Sequence, residues 1–200
     1  MRIFIRSLVF VVGIILAGQA SPLAEGAWAA DTYTIDTAHS TMGFSARHMM
    51  VSTVIGAFDD YQGAITYDPA DPAAFKADVT IQAKSINTRV AKRDDHLRGA
   101  EFFDVEKHPV ITFTTVKLDK QDGRAVLTGS LTMKGVAKEV SIPVTISGPV
   151  QGTGRSIIGL SGSFTLNRQD YGINWNQALD NGGLAVSDEV KVDINIEAHK

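Results

Sequence analysis

Period-two alternation of apolar and polar residues is the feature that most limits what this chain can fold into. In residues 140–146 and 190–196 every second side chain is Val or Ile, and the residues between them are mostly polar or charged. Such alternation places one face of a strand against a core and the other face against water. The sequence therefore predicts a protein built from antiparallel β-strands.

Eight segments of this kind follow one another within the length of a single domain. They lie at residues 42–48, 54–67, 79–83, 112–118, 127–133, 140–146, 158–166 and 190–196. In the second segment the alternation slips by one residue at Asp59-Asp60, which indicates a bulge. Gln121-Asp122-Gly123 and Lys134-Gly135 have the composition of tight turns. Sequential pairing predicts an all-β fold, an eight-stranded antiparallel up-and-down barrel.

One segment interrupts the strand pattern. Residues 87–104 are rich in charge and carry Val90, Asp94 and Leu97 at helical spacing, which predicts a short helical insertion between strands three and four. Phe102 and Phe103 follow directly. The helix and this aromatic pair could form a lid over a barrel mouth, or a surface crossover whose phenylalanines fill the core.

The N-terminus has the pattern of a secretory signal peptide. Arg2 and Arg6 precede an apolar run at residues 8–17, and Ala27-Trp28-Ala29 supplies a small-x-small cleavage site. The run is shorter than the ~20 residues of a membrane-spanning helix. We therefore expect residues 1–29 to be removed, leaving residues 30–200 as a periplasmic domain with no integral membrane segment.

Composition excludes other classes. The net charge of −3 and the scattered Lys and Arg residues argue against nucleic-acid binding. Charged outward positions such as Lys191 and Asp193 favour a soluble barrel over a membrane barrel, whose outer face is apolar. No Gly-x-Ser-x-Gly, phosphate-binding loop or dinucleotide fingerprint is present, so no enzyme is predicted.

Four histidines raise the question of a metal. His39, His48, His96 and His108 match no helical ligand pair, and the chain has no cysteine, so no metal site is predicted. The alternative to a binding protein is a metal- or quinone-dependent redox accessory enzyme that uses His39, His48 or His96.

Three groups of motifs resemble the YceI-like family. The first joins residues 33–40 (YTIDTAHS) to 44–52 (FSARHMMVS) and 56–58 (GAF). The second joins 92–98 (KRDDHLR) to 102–109 (FFDVEKHP) and 111–113 (ITF), and the third joins 129–136 (GSLTMKGV) to 168–175 (RQDYGINW) and 187–190 (SDEV). They occur in order across nearly all of the chain beyond residue 29. The resemblance implies a lipocalin-like barrel whose apolar tunnel holds the tail of an isoprenoid quinone, a polyisoprenyl phosphate or a fatty amide, with no other cofactor. It also implies a homodimer.

Candidate ligand contacts follow from that resemblance. The wall candidates are Met42, Phe44, Phe58, Phe113, Phe164 and Trp175, and those at the mouth are Leu97, Phe102 and Phe103. His48 and Arg98 are candidates for contact with a polar or phosphate head group.

Glycines at inward-facing positions leave two interpretations open. Gly56, Gly63, Gly129 and Gly162 share the phase of their apolar neighbours. They could leave wall positions empty for a ligand, or they could relieve the curvature of the barrel.

Overall fold

The chain forms an antiparallel barrel in a computed structural model that describes residues 30–152, 154–180 and 182–200. The predicted signal peptide, residues 1–29, lies outside the described residues. The strands are β1 (Asp31–Ile35), β2 (Thr41–His48), β3 (Ser52–Phe58), β4 (Tyr61–Tyr67), β5 (Lys76–Gln82), β6 (Ile86–Asn87), β7 (Val110–Gln121), β8 (Arg124–Met133), β9 (Val136–Gly152), β10 (Arg155–Asn167) and β11 (Val186–His199), and the helix is α1 (Ala91–Arg98).

Eight strand positions close into a ring. From β1 the order runs through β4, β5, β7, β8, β9 and β10 to β11, which pairs back to β1. The other three strands extend this ring: β2 pairs with β11 and β3, and β3 pairs with β6. Thus β1 and β2 act as one interrupted strand, as do β3 and β4, and β5 and β6. The predicted eight-stranded antiparallel barrel is confirmed.

The structure refines three sequence expectations. The phase slip at Asp59-Asp60 is the interruption between β3 and β4. The first strand position begins at Asp31, ten residues before Thr41, because a separate strand, β1, precedes β2. The helix is present where expected but is confined to Ala91–Arg98, so the predicted range 87–104 was too long and Val90 lies before it, exposed.

Two hairpins obtain their register from two-residue loops. Asp122 and Gly123 connect β7 to β8, and Lys134 and Gly135 connect β8 to β9, all four with φ between 49° and 78°. Positive φ at both loop residues gives the turn whose twist matches that of the flanking strands.

The wall between β9 and β10 opens at one end. The two strands pair from Gly152 and Arg155 as far as Val144 and Gly162, and no pairing is found beyond that point. The next residue of β9 is Pro143, which has no N–H to donate to a ladder.

A group of side chains, here called the end cluster, packs at this open end. Its buried members are Ala83, Phe102, Ile111, Met133, Tyr171 and Ile173, and Leu97, Phe103, Val136, Leu166 and Trp175 pack against them. It therefore joins the segment after α1 and the segment after β10 to the strands that have diverged. Among the described residues, no helix has the length and apolar character needed to cross a membrane.

Candidate functional site

A cavity occupies the interior of the barrel. Its lining comes from nearly all strands and consists of Ile35, Met42, Gly43, Phe44, Phe58, Ile65, Ala77, Val79, Ile81, Ile111, Phe113, Leu127, Leu131, Met133, Ile142, Val144, Leu160, Phe164, Leu166, Val192, Ile194 and Ile196. The volume of this cavity is about 130 Å³. Each described residue that lines the cavity is glycine or apolar, so this part of the chain presents no polar side chain to it.

Two glycines keep aromatic rings against the wall. A Cβ on Gly56 would lie 2.4 Å from Cζ of Phe44, its cross-strand partner, and a Cβ on Gly129 would lie 2.3 Å from Cζ of Phe113. Each ring therefore occupies the place of a missing side chain, as aromatic residues do over sheet glycines. The glycines are not empty wall positions, yet they let two large side chains lie flat and leave the centre open.

The other two inward glycines permit close approach. A Cβ on Gly63 would lie 2.6 Å from the carbonyl oxygen of Asp78, and one on Gly162 would lie 3.1 Å from methyl groups of both Ile142 and Val144. At these positions neighbouring strands approach too closely for a side chain, which agrees with the interpretation that these glycines relieve the curvature of the barrel.

Five predicted wall residues line the cavity: Met42, Phe44, Phe58, Phe113 and Phe164. They come from β2, β3, β7 and β10, and the alternation brings their side chains to the same interior. Most of the remaining wall is aliphatic and was not singled out from the sequence. The period-two pattern that predicted the strands also marks residues such as Ile142, Val144, Val192 and Ile194 as inward-facing.

The other four apolar candidates lie in the end cluster. Phe103 contacts Phe58 edge-on with ring centroids 5.7 Å apart. Phe58 lines the cavity, so Phe103 packs against the cavity lining from outside. Phe102 packs against Trp175 at 5.2 Å, and Leu97 joins the same cluster from α1. These residues close one end of the barrel, one layer outside the cavity lining.

The two polar candidates lie away from the cavity lining. His48 is exposed at the end of β2, opposite Val186. Arg98 donates hydrogen bonds to the carbonyl oxygens of Lys84 and Ile86 and to the carboxylate of Asp95. Its guanidinium thus fastens α1 to the β5–β6 region.

The remaining charges of the helix motif also hold the helix in place. Asp94 is buried and accepts hydrogen bonds from the backbone N–H and the hydroxyl of Thr88. Arg93 donates to that hydroxyl and to the Thr88 carbonyl oxygen. Because Thr88 follows β6 directly, this network sets the position of α1 and of the aromatic pair after it.

Arg168 is a positioning residue that the sequence did not single out. Its buried guanidinium donates to the carbonyl oxygens of Ser187, Ile173 and Trp175 and to Asp188. Burial lowers the pKa of Arg168, and Asp188 acts in the opposite direction. These bonds hold residues 168–175 against β11 and thereby place Tyr171, Ile173 and Trp175 in the end cluster.

The three histidines of the redox alternative do not meet. His39 lies in the β1–β2 loop, and His48 lies at the far end of β2, a strand of eight residues that spans roughly 25 Å. His96 packs on α1 against Phe102 and Trp175. His39 instead contacts Asp36 and Glu197, and its hydrogen bond to Asp36 raises the pKa of His39 and lowers that of Asp36.

Comparison with known proteins identifies the family. The model of the YceI-like domain matches residues 33–198. The chain belongs to the YceI-like family. A UPF0312 protein of Staphylococcus aureus strain MSSA476 is 37% identical to this YceI-like protein over 169 residues, covering 82% of this chain and 95% of the relative.

Solved structures share the barrel. Burkholderia cenocepacia BcnA is 26% identical and aligns with a TM-score of 0.72 over 82% of this chain and 99% of that chain. A polyisoprenoid binding domain from Saccharophagus degradans, described as implicated in plant cell wall breakdown, aligns with a TM-score of 0.62 at 18% identity, over 83% of this chain and 97% of that chain. The latter likeness shows the fold.

Proposed function

We propose that this YceI-like protein binds the apolar tail of an isoprenoid-type amphiphilic lipid in the barrel cavity, and that it carries or stores this lipid in the periplasm. The observation that supports this function is the cavity itself, about 130 Å³ lined by glycine and apolar side chains. Cavities with such linings stay dry and take up apolar molecules.

An aliphatic or isoprenoid tail matches this wall chemistry. Burial of each CH₂ group contributes ~0.8 kcal/mol, and the tail requires no hydrogen bonds. A polar head group inside the cavity would lose its hydrogen bonds to water without replacement, at a cost of roughly 1–3 kcal/mol for each unsatisfied group. The head group therefore stays at an end of the barrel, and selectivity for tail chemistry exceeds selectivity for head-group chemistry.

Binding without catalysis is part of the proposal. Among the described residues, those that line the cavity include no titratable or nucleophilic side chain, so a buried ligand would meet no general acid, base or nucleophile there. The fold shared with a polyisoprenoid binding domain supports the same class of function. The predicted signal peptide is the basis for the periplasmic location.

Lipid extraction and native mass spectrometry test the proposal. The full chain, expressed with its own N-terminus in a bacterium that makes isoprenoid quinones, should be recovered with about one lipid per barrel. The delipidated protein should take up an isoprenoid quinone added in detergent. Native mass spectrometry of the same sample also tests the expected homodimer.

A cavity-filling variant gives the matched control. Val192 lines the cavity, whereas Val116 lies in β7 and is 59% exposed. Val192→Phe should lower the amount of lipid bound, and Val116→Phe should leave it unchanged. If both the wild type and Val116→Phe fail to take up lipid, the proposed function is overturned.

A further inference from the structure

Three metal-binding side chains converge at one end of the barrel, away from the cavity. Nδ1 of His39 lies 2.8 Å from Oδ2 of Asp36 and 3.8 Å from Oε1 of Glu197. All three donor atoms lie within 4.8 Å of one another. In the part of the chain that the structure describes, no other group of three or more His and acidic residues converges in this way.

These distances are close to those of a zinc centre. Zinc binds His nitrogen and carboxylate oxygen at about 2.0–2.2 Å, and the edges of a tetrahedron with such bonds are about 3.4 Å long. The two separations from His39, 2.8 and 3.8 Å, bracket that edge, and the two carboxylate oxygens lie within 4.8 Å of each other. Side-chain rotations would therefore bring the three atoms onto three corners. The Asp36 pair is the closer one because a proton, not a metal, joins its two atoms.

The backbone already holds the ligands in place. The N–H of Asp36 donates to the carbonyl oxygen of Glu197 at 2.9 Å. The hydroxyl of Ser40 donates to the same carbonyl oxygen and accepts from the N–H of Glu197. The loop that carries Asp36 and His39 is therefore fixed to the residue that supplies the third ligand, which lowers the ordering cost of binding an ion.

The fourth corner faces outward. His199 Nδ1 lies 4.0 Å from Asp36, and Nε2 of the same ring is 3.4 Å from the Arg155 guanidinium, which can only donate. Its Nδ1 therefore carries the proton in the neutral ring and supplies no ligand in this arrangement. His39 and Glu197 border a shallow groove, which leaves the fourth position to water.

We propose that Asp36, His39 and Glu197 form a zinc site that fastens the barrel where its ring closes. β11 changes partner there, from β2 at Asn195 to β1 at Ala198, and Glu197 lies between the two pairings. The β1–β11 contact has only two residue pairs, Thr34 with His199 and Ile35 with Ala198. An ion that joins the β1–β2 loop to β11 would reinforce this short contact.

Zinc titration of the full chain, purified without a polyhistidine tag and stripped with chelator, tests the site. Isothermal calorimetry with ZnCl₂ should show one ion per chain, and the thermal unfolding midpoint should rise with zinc concentration because the ion binds the folded state. MgCl₂ should produce neither effect, because the site offers only two carboxylate groups beside an imidazole.

Matched variants separate this site from adventitious binding. His39→Ala should weaken zinc binding by more than the roughly 10- to 100-fold that follows loss of an outer-shell partner. Glu197→Gln should weaken it as well, and it provides a second test that keeps the side-chain volume. His96→Ala is the control, because His96 is also paired with one carboxylate, Glu101, at 2.9 Å but has no second one.

Zinc binding at one ion per chain that is lost in the His39 and Glu197 variants and kept in the His96 variant supports the site. Failure of the wild type to bind zinc stoichiometrically, or equal binding by His39→Ala, would overturn it. Neither result bears on lipid binding, which depends on the cavity.

Discussion

At the scale of single residues, the open interior depends on glycines paired with phenylalanines. Gly56 and Gly129 lie under the rings of Phe44 and Phe113, which otherwise would project toward the centre of the barrel. Inward side chains together can fill a barrel of eight strands. The pairing therefore retains the apolar area of large side chains while leaving the space that a ligand needs.

Substitution of Gly56 by alanine should move the ring of Phe44. The added Cβ would lie 2.4 Å from Cζ of Phe44 and 2.9 Å from Cγ2 of Thr88, both side-chain atoms, so the ring has to shift. We expect Gly56→Ala to lower the free energy of unfolding by about 1–3 kcal/mol, as overpacking does, and to reduce lipid uptake. Urea denaturation of the delipidated protein measures the first effect.

A double variant checks the cause. In Gly56→Ala with Phe44→Leu the smaller side chain leaves room for the Cβ, so the combined loss of stability should be smaller than the sum of the two single losses. Strict additivity would show that the Phe44 ring is not what the alanine displaces.

At the scale of elements, the segment after β10 closes the end at which β9 and β10 diverge. Arg168 binds two of the segment's own carbonyl oxygens, at Ile173 and Trp175, together with Ser187 and Asp188 of β11. The carbonyl oxygens of Ile173, Trp175 and Ser187 thus accept hydrogen bonds from the Arg168 side chain and not from a neighbouring strand. One buried cation thus fastens this segment to β11.

Replacement of Arg168 by methionine should release this segment. The change keeps much of the apolar stem but leaves the partly exposed Asp188 and three carbonyl oxygens without their donor. Each buried acceptor left unsatisfied costs about 1–3 kcal/mol. We expect a lower unfolding midpoint in urea and faster proteolysis within residues 171–176.

Arg98→Met serves as the comparison for that variant. Arg98 also binds two carbonyl oxygens and a carboxylate, but its side chain is 34% exposed, against 5% for Arg168. Its loss should cost less and should leave residues 171–176 protected. Equal cleavage in both variants would contradict the role assigned to Arg168.

At the scale of the whole molecule, closure of the ring depends on a short contact between β1 and β11. The ion pair of Asp36 and His39 lies beside this contact, and Asp36 is bonded to β11 through its backbone N–H. The pair raises the pKa of His39 and lowers the pKa of Asp36. Stability of the barrel should therefore depend on pH through these two groups.

The direction of the pH dependence follows from the two shifts. The raised pKa of His39 gives stabilisation that is complete below its ordinary value of 6.5 and is lost as the pH rises through the folded-state value. The lowered pKa of Asp36 gives stabilisation that is present above 3.8 and lost on further acidification. In EDTA, the thermal midpoint of the wild type should exceed that of His39→Gln by more at pH 5.5 than at pH 8.5.

A second variant isolates the His39 contribution. His199 is a second histidine near Asp36, at 4.0 Å, and Glu197 and Arg155 are charged neighbours of the two imidazoles. His199→Gln should retain the difference between the two pH values. A constant difference between wild type and His39→Gln across the range would contradict a titrating pair at the closure.

Much of the fold could be predicted because strand alternation is a local signal. The runs at 140–146 and 190–196 predicted β9 and β11, and the turn residues predicted two hairpins. β1 was missed because a five-residue strand with inward Tyr33 and Ile35 is too short for a periodic signal. The helix was located by its charge and by the helical spacing of Val90, Asp94 and Leu97, yet its only buried residue is Asp94, so no buried apolar stripe marked its ends.

The candidate site was predicted less completely for a related reason. Alternation indicates which side of a strand faces inward, and it brought Met42, Phe44 and Phe58 to the cavity. It does not indicate how far along the barrel a residue lies, so the aromatic residues of the end cluster could not be separated from the cavity lining. Arg98 was predicted as a head-group contact and Arg168 was not singled out, because their carbonyl partners come from other elements.

The order of apolar and polar residues along the chain is enough to establish an antiparallel barrel with an apolar interior, because neighbouring residues of a strand point to opposite faces. Whether that interior is filled or open depends on where rings from one strand lie over glycines of another. The same holds for Asp36, His39 and Glu197, which are separated by up to 161 residues and meet because β11 returns to β1. The distances between side chains on different strands are set only when the barrel closes.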